Sequence, residues 1–179
     1  MTAFQDEVVS HVPTLRAFAR SLTRDAARAD DLVQDTLVKA FSNAEKFQQG
    51  TNMRAWLFTI LRNLFYSDRR KAVRESEDPE GTLAAGLSVK PDHDGRLQYA
   101  EFQTAFAELS DEQREALTLI GALGMSYDEA AKMCGVATGT MKSRVGRARK
   151  ELAERMQLDD AGVIAENEFA TTGAASWSV

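Results

Sequence analysis

The chain has 179 residues, a net charge of −5 and a pI near 5.2, with 44% apolar residues, which suits one medium domain or two small ones with packed cores. One cysteine, Cys134, and two isolated histidines, His11 and His93, exclude a disulfide framework and a cysteine-built metal site, so neither metal nor cofactor is expected. Helix formers dominate over three prolines, and no apolar run reaches membrane length or opens the chain as a signal peptide, which predicts an all-α protein of the cytoplasm, away from membranes.

The first predicted helix covers residues 4–24. Leu15, Phe18, Ala19 and Leu22 form its inward stripe, while Arg16, Arg20 and Arg24 repeat every four residues on another side. Asp25 caps a second helix over about 26–41. There Leu32, Val33, Leu37, Ala40 and Phe41 point inward, and Asp30, Asp31, Gln34, Asp35 and Lys39 point outward. That outer face suits either plain solvation or the docking of a partner.

A polar loop, Glu45 to Asn52, follows, and Asn52 can cap a third helix over about 53–71. Leu57, Ile60, Leu61 and Leu64 give it an inward stripe. Trp56, Thr59, Asn63, Tyr66 and Arg70 share a second face, and Arg69 and Lys71 extend its basic end. Aromatic platforms beside cations hold unstacked single-stranded bases; a half-buried tryptophan beside solvated arginines is the plainer reading.

Residues 73–97 contain Pro79, Gly81, Gly86, Pro91 and Gly95, are acidic, and lose periodicity. They read as a flexible linker between two helical domains. Beyond it, Phe102, Phe106 and Leu109 give a helix stripe. Ser110 with Gln113 makes a capping box for a helix whose Leu117, Ile120 and Leu123 face inward.

Ser126 and Glu129 form a second capping box, and Gly135 stops the helix they open. Thr138 can cap the next helix, about 139–156, where Met141, Val145, Ala148 and Leu152 face a core. Lys142, Arg144, Arg147, Arg149, Lys150 and Arg155 lie opposite them, against Glu151 and Glu154. A helix, a tight turn and a basic second helix is the layout of a DNA-reading helix-turn-helix. A hairpin with a solvated basic face is the bland alternative, but so many cations run against an acidic background. The tail over 158–179 carries four acidic residues and no lysine or arginine, and is expected to be disordered.

Taken together, DDLVQDTLVKAF at 30–41, NMRAWLFTILRN at 52–63 with DRRK at 68–71, LSDEQREAL at 109–117 and SYDEAAKMCGVATGTMKSRVGRARKEL at 126–152 resemble the extracytoplasmic-function (ECF) bacterial sigma factors. The third-helix segment looks like the alphaproteobacterial general-stress (EcfG-type) group. The resemblance implies a non-enzymatic subunit that binds core RNA polymerase and promoter DNA, held by a small anti-sigma protein of the NepR type. It implies a region 2-like domain over 1–72, a linker over 73–97 and a region 4-like domain over 98–157.

By that resemblance Asp30, Asp31, Gln34, Asp35 and Lys39 dock on polymerase. Phe47, Gln48, Gln49, Gly50, Thr51 and Asn52 hold a flipped base of the minus-ten element, with Trp56, Asn63, Arg69 and Arg70 along the opened strand. Thr138, Thr140, Lys142, Ser143, Arg144, Arg147 and Arg149 contact the minus-thirty-five element, the outer arginines through phosphates. Two other classes compete. A sigma-like mimic would sequester the anti-sigma protein without binding promoters, yet it leaves the basic helix without a purpose. A simple helix-turn-helix repressor leaves Asp30 to Lys71 unexplained.

Overall fold

The computed structural model describes residues 3–75 and 95–157. It separates into two units, Met1–Ser88 and Val89–Val179. The described residues are helical with no strand, as the sequence predicts.

In the first unit, the helix expected over 4–24 is two helices, α1 (Ala3–Ser10) and α2 (Val12–Thr23). The break follows from Pro13 in the first turn of α2. Proline offers no N–H and its ring would clash with the carbonyl four residues back, so it opens a helix and does not continue one. Arg24, at φ 58°, ends α2 with its N–H donating to Arg20 O at 3.0 Å. Asp25 then caps α3 (Ala26–Ser42), its carboxylate accepting from Arg28 N at 2.9 Å. A 3-10 turn, Ala44–Lys46, leads towards α4 (Met53–Glu75).

Val8, Leu15, Phe18, Leu22, Leu32, Val33, Leu57, Phe58 and Leu61 are buried, and the Phe18 and Phe58 rings meet at 5.2 Å. Burying these apolar surfaces is what drives the four helices to pack, at ~25 cal/mol per Å² removed from water. The inward stripes need three corrections. Phe41 is 40% exposed, and Thr36 is the buried residue in its stead, its hydroxyl turned back to Leu32 O at 2.7 Å. Leu37 is half-buried. In α4, Ile60 and Leu64 are half-buried, whereas Phe58 is fully inside.

His11 lies at the break between α1 and α2, and burial lowers its pKa below the ordinary 6.5. Arg54 pushes in the same direction and Glu7 opposes both. The folded pKa is below the unfolded one, so protonation favours unfolding. The first unit is therefore expected to hold constant stability above about pH 6.5 and to lose some as pH falls through the lowered value. Thermal unfolding between pH 7.5 and 5 should show this decline, and His11→Gln should flatten it.

The second unit contains α5 (Gly95–Ala107), α6 (Asp111–Leu117), α7 (Tyr127–Cys134) and α8 (Thr138–Arg155). α4 runs to Glu75 and α5 begins at Gly95, so helix occupies both ends of the stretch expected as a linker over 73–97. Its middle, 76–94, and the tail, 158–179, lie outside the described residues.

Ser110 and Gln113 close the capping box of α6, with Ser110 N donating to Gln113 Oε1 at 2.9 Å. Past Leu117 the backbone widens into a π-helical turn, Thr118–Ala122, with Leu123 N donating to Thr118 O at 2.9 Å. The wider turn rotates the face. Leu119 is fully buried, and the expected Leu117, Ile120 and Leu123 are half-buried. Phe102 was also expected inside, but it is 38% exposed and stacks on Phe106 at 5.6 Å. Met141, Val145, Ala148 and Leu152 are buried as predicted, and Cys134 packs inside.

Arg114 is 1% exposed. Its guanidinium donates to the carbonyls of Ala107 and Leu109 and pairs with Asp111. It thereby ties the end of α5 to the start of α6. Gln113 Nε2 donates to Glu151 Oε2 at 2.9 Å, and Arg155 pairs with both Glu108 and Glu151, which fix α8 against α5 and α6.

Candidate polymerase and nucleic-acid interfaces

Three surfaces carry the residues singled out in the sequence. The first is the outer face of α3. Asp31, Gln34, Asp35 and Lys39 are exposed along it. Asp30 stands apart, because its carboxylate accepts from Arg16 Nε at 2.7 Å and ties α3 to α2. The stripe continues into Val38, 65% exposed, and Phe41. Acidic and polar groups at one end and apolar groups at the other give this face a mixed character. Neither residue was legible as part of this face, because a helical repeat alone places Phe41 with the core stripe.

The second surface is the loop 47–52 with α4. Gln48, Gln49, Gly50, Thr51 and Asn52 are exposed, and Phe47 and Trp56 are half-buried. Gly50 adopts φ +85°, a left-handed conformation that favours glycine, and a Cβ there would meet nothing within 4 Å. Thr51 donates both its N–H and its hydroxyl to Gln48 O, at 3.1 and 2.7 Å. Asn52 caps α4 as expected, its Oδ1 accepting from Ala55 N at 3.0 Å. The side-chain oxygen of Asn52 is thus engaged by the first turn of α4.

Trp56 is not an open platform. Its ring lies 5.2 Å from Phe47 and 6.2 Å, edge-on, from Phe4. One heptad on, Asn63 is exposed, and so are Arg69 and Arg70 at the end of the helix. Tyr66 is half-buried beneath the Arg62 guanidinium, 4.7 Å from its ring centre. The arrangement offers one aromatic edge, an amide and a cationic end along a single helix face.

The third surface is the helix-turn-helix. Ser126 and Glu129 close their box at both hydrogen bonds, 3.0 and 3.2 Å, and Gly135 ends α7 at φ 67°. The start of α8 differs from expectation. Ala137 is its N-cap without any side-chain bond, and Thr138 is already in the helix. The Thr138 hydroxyl instead donates to Asp128 Oδ1 at 2.7 Å, locking α8 to α7.

Thr140, Lys142, Ser143 and Arg147 are exposed. Lys142 Nζ sits 5.8 Å from the ring of Tyr127, a cation–π contact that restrains the lysine. Nothing in the sequence flagged Tyr127, because only the folded turn brings the first residue of α7 beside α8. Arg144 and Arg149 are half-buried, and Arg144 Nη1 is enclosed without a hydrogen-bond partner among the described residues. Arg155, on the basic side in sequence, is committed to its acidic partners at the far end of α8.

No group of residues able to hold a metal occurs among the described residues, and no described helix is long and apolar enough to cross a membrane. The Sigma-70 region 2 family matches residues 8–75 and the Sigma-70 region 4 family matches residues 99–152. The chain is 52% identical to the ECF RNA polymerase sigma factor EcfG of Rhodopseudomonas palustris, over 89% of this chain and 88% of that one. Among solved structures it is similar to the sigma factor RpoE of Bartonella quintana, in complex with the anti-sigma factor NepR. The identity is 48% and the TM-score 0.79, over 89% of this chain and 99% of that one. The anti-anti-sigma factor PhyR of Bartonella quintana shares the fold at 17% identity and a TM-score of 0.54, and the match spans 49% of that chain. The chain belongs to the extracytoplasmic-function sigma factors, promoter-recognition subunits of bacterial RNA polymerase rather than enzymes.

Proposed function

We propose that this sigma factor directs polymerase to general-stress promoters in the cytoplasm and is held in check by a small anti-sigma protein of the NepR type. The likeness to an EcfG protein and to a sigma factor solved with NepR supports both parts. Residues 1–72 engage core polymerase through Asp31, Gln34, Asp35 and Lys39, with Val38 and Phe41 as the apolar end of that face. The loop 47–52, Trp56, Asn63, Arg69 and Arg70 handle the opened minus-ten strand. Residues 98–157 dock on the minus-thirty-five element through Thr140, Lys142, Ser143 and Arg147, with Arg149 towards a phosphate. Asp30 and Thr138 act inside the fold, through their bonds to Arg16 and Asp128, and half-buried Arg144 stays with the minus-thirty-five contacts.

The observation that carries this reading is the exposed run Thr140, Lys142, Ser143 and Arg147 at the leading end of α8. Such a run at the N-terminal end of a second helix suits a major groove. A sigma mimic would leave it without a ligand. Run-off transcription with core polymerase and this protein should give a discrete start site that a NepR-type protein suppresses. Tight binding to the NepR-type protein without transcription would favour the mimic.

Lys142→Ala separates DNA docking from folding. Loss of one phosphate contact is expected to weaken promoter binding by the holoenzyme about fivefold and to reduce its salt slope by about 0.9. Competition for core polymerase should stay at the wild-type level. Equal loss in both assays would make α8 a purely structural helix.

A further inference from the structure

The loop 47–52 is anchored differently at its two ends. Downstream, Asn52 is bonded into the first turn of α4. Between the ends, residues 48–51 are exposed, and Thr51 bonds back to Gln48 within the loop. Upstream, the anchor is the ring of Phe47. It follows a 3-10 turn in extended conformation, φ −78° and ψ 121°, and is half-buried against two other rings.

One of those rings is Trp56, on the same helix that Asn52 caps. The other is Phe4, from α1, at 5.9 Å from Phe47 and 6.2 Å from Trp56. The three rings contact one another pairwise, all tilted or edge-on, so each restrains the rotation of the other two. The helix that carries Phe4 is itself pinned, since Val8 one turn later is fully buried. The break at His11 makes α1 a separate short helix, which can lie against the α4 side independently of α2.

We infer that Phe4 is a positioning residue for promoter opening: it wedges Phe47 against Trp56 and so fixes the pose of the loop that receives the extruded base. The inference rests on the assignment of that loop to an unpaired base. Without Phe4, the Phe47 ring packs on one aromatic ring instead of two, and the upstream end of the loop is less restrained. A base leaving the duplex must then organise its own pocket, so less of its stacking offsets the cost of extrusion.

The experiment uses holoenzyme assembled from core polymerase and full-length protein. The probe is promoter DNA with a double-stranded minus-thirty-five element and a single-stranded non-template minus-ten element. Each minus-ten position is compared as an intact nucleotide and as an abasic site. Wild type is expected to gain affinity from the intact base at one position. Phe4→Ala and Phe4→Leu are expected to lose about tenfold of that gain, while binding the abasic probe and competing for core polymerase like wild type. Phe4→Tyr, which keeps the ring, should restore it.

Retention of the full gain by Phe4→Ala overturns the positioning role. So does an equal loss on abasic and intact probes, because that marks a general folding defect. If wild type itself gains nothing from any base, the loop assignment falls, and the role of Phe4 falls with it.

Discussion

Arg114→Ala is expected to cost the second unit about 3–5 kcal/mol, the usual penalty for breaking a buried ion pair from one side. Two carbonyls, of Ala107 and Leu109, and the Asp111 carboxylate lose their donor at once. A further term comes from the space left by a long side chain that is 1% exposed. Alanine is the best helix former, so helix propensity cannot account for a loss. A domain of this size has a total stability of roughly 3–9 kcal/mol, so the variant should populate an unfolded second unit.

Hydrogen exchange checks this locally. Amide protection at Leu109, Leu119, Met141 and Leu152 should collapse, while Leu57 and Leu61 in the first unit keep theirs. Arg114→Lys retains the charge but not the fork that spans two carbonyls and a carboxylate, so it should fall in between. Unchanged protection in Arg114→Ala would mean that the α5–α6 junction is held by other contacts. Promoter docking should fail with the fold in this variant, unlike in Lys142→Ala, where the fold persists.

The double variant Asp31→Arg, Asp35→Arg is expected to weaken core-polymerase binding more than a hundredfold, or about 3 kcal/mol, since like charges brought together across an interface cost several kcal/mol. Both side chains are exposed and lie one turn apart on α3, so reversal should leave the fold intact. Asp30→Asn is the informative contrast. It removes the pairing with Arg16, a half-exposed bridge worth at most about 1 kcal/mol, without touching the proposed docking stripe. Its effect on core binding should be small.

Val38→Ala and Phe41→Ala test the apolar end of the same face by the same competition assay. Full competition by the double reversal would mean that this face is merely solvated. Raised salt provides a second check. If the acidic residues steer encounter, the wild-type association rate should fall with ionic strength and the variant rate should not.

What the sequence determined by itself is whatever depends on neighbours three or four residues apart. The caps of Asp25, Asn52, Ser110 and Ser126 and the stop at Gly135 all stand where their spacing puts them. The buried stripe of α8 does too. Each rests on local hydrogen bonds or on one helical period, and both are written into short stretches of chain. The helix-turn-helix was legible for the same reason, whereas the sigma-factor motifs were legible only through their resemblance to a known family. Pro13 was a local signal as well, and it divides the expected first helix in two.

Tertiary structure decided which side chains on an outward face are available. Arg16 takes Asp30 from 14 residues away, Asp128 takes Thr138 from 10, and Glu108 takes Arg155 from 47. It also turned Phe41 and Phe102 outward, buried Arg114, and brought Phe4 and Tyr127 to surfaces where sequence gave them no role. A period of 3.6 residues tells which side of a helix is apolar, but not how much of that side a neighbouring helix covers, nor which distant group meets a charge. Those depend on where helices cross, and the crossing is set by packing across the whole unit, not by any one segment.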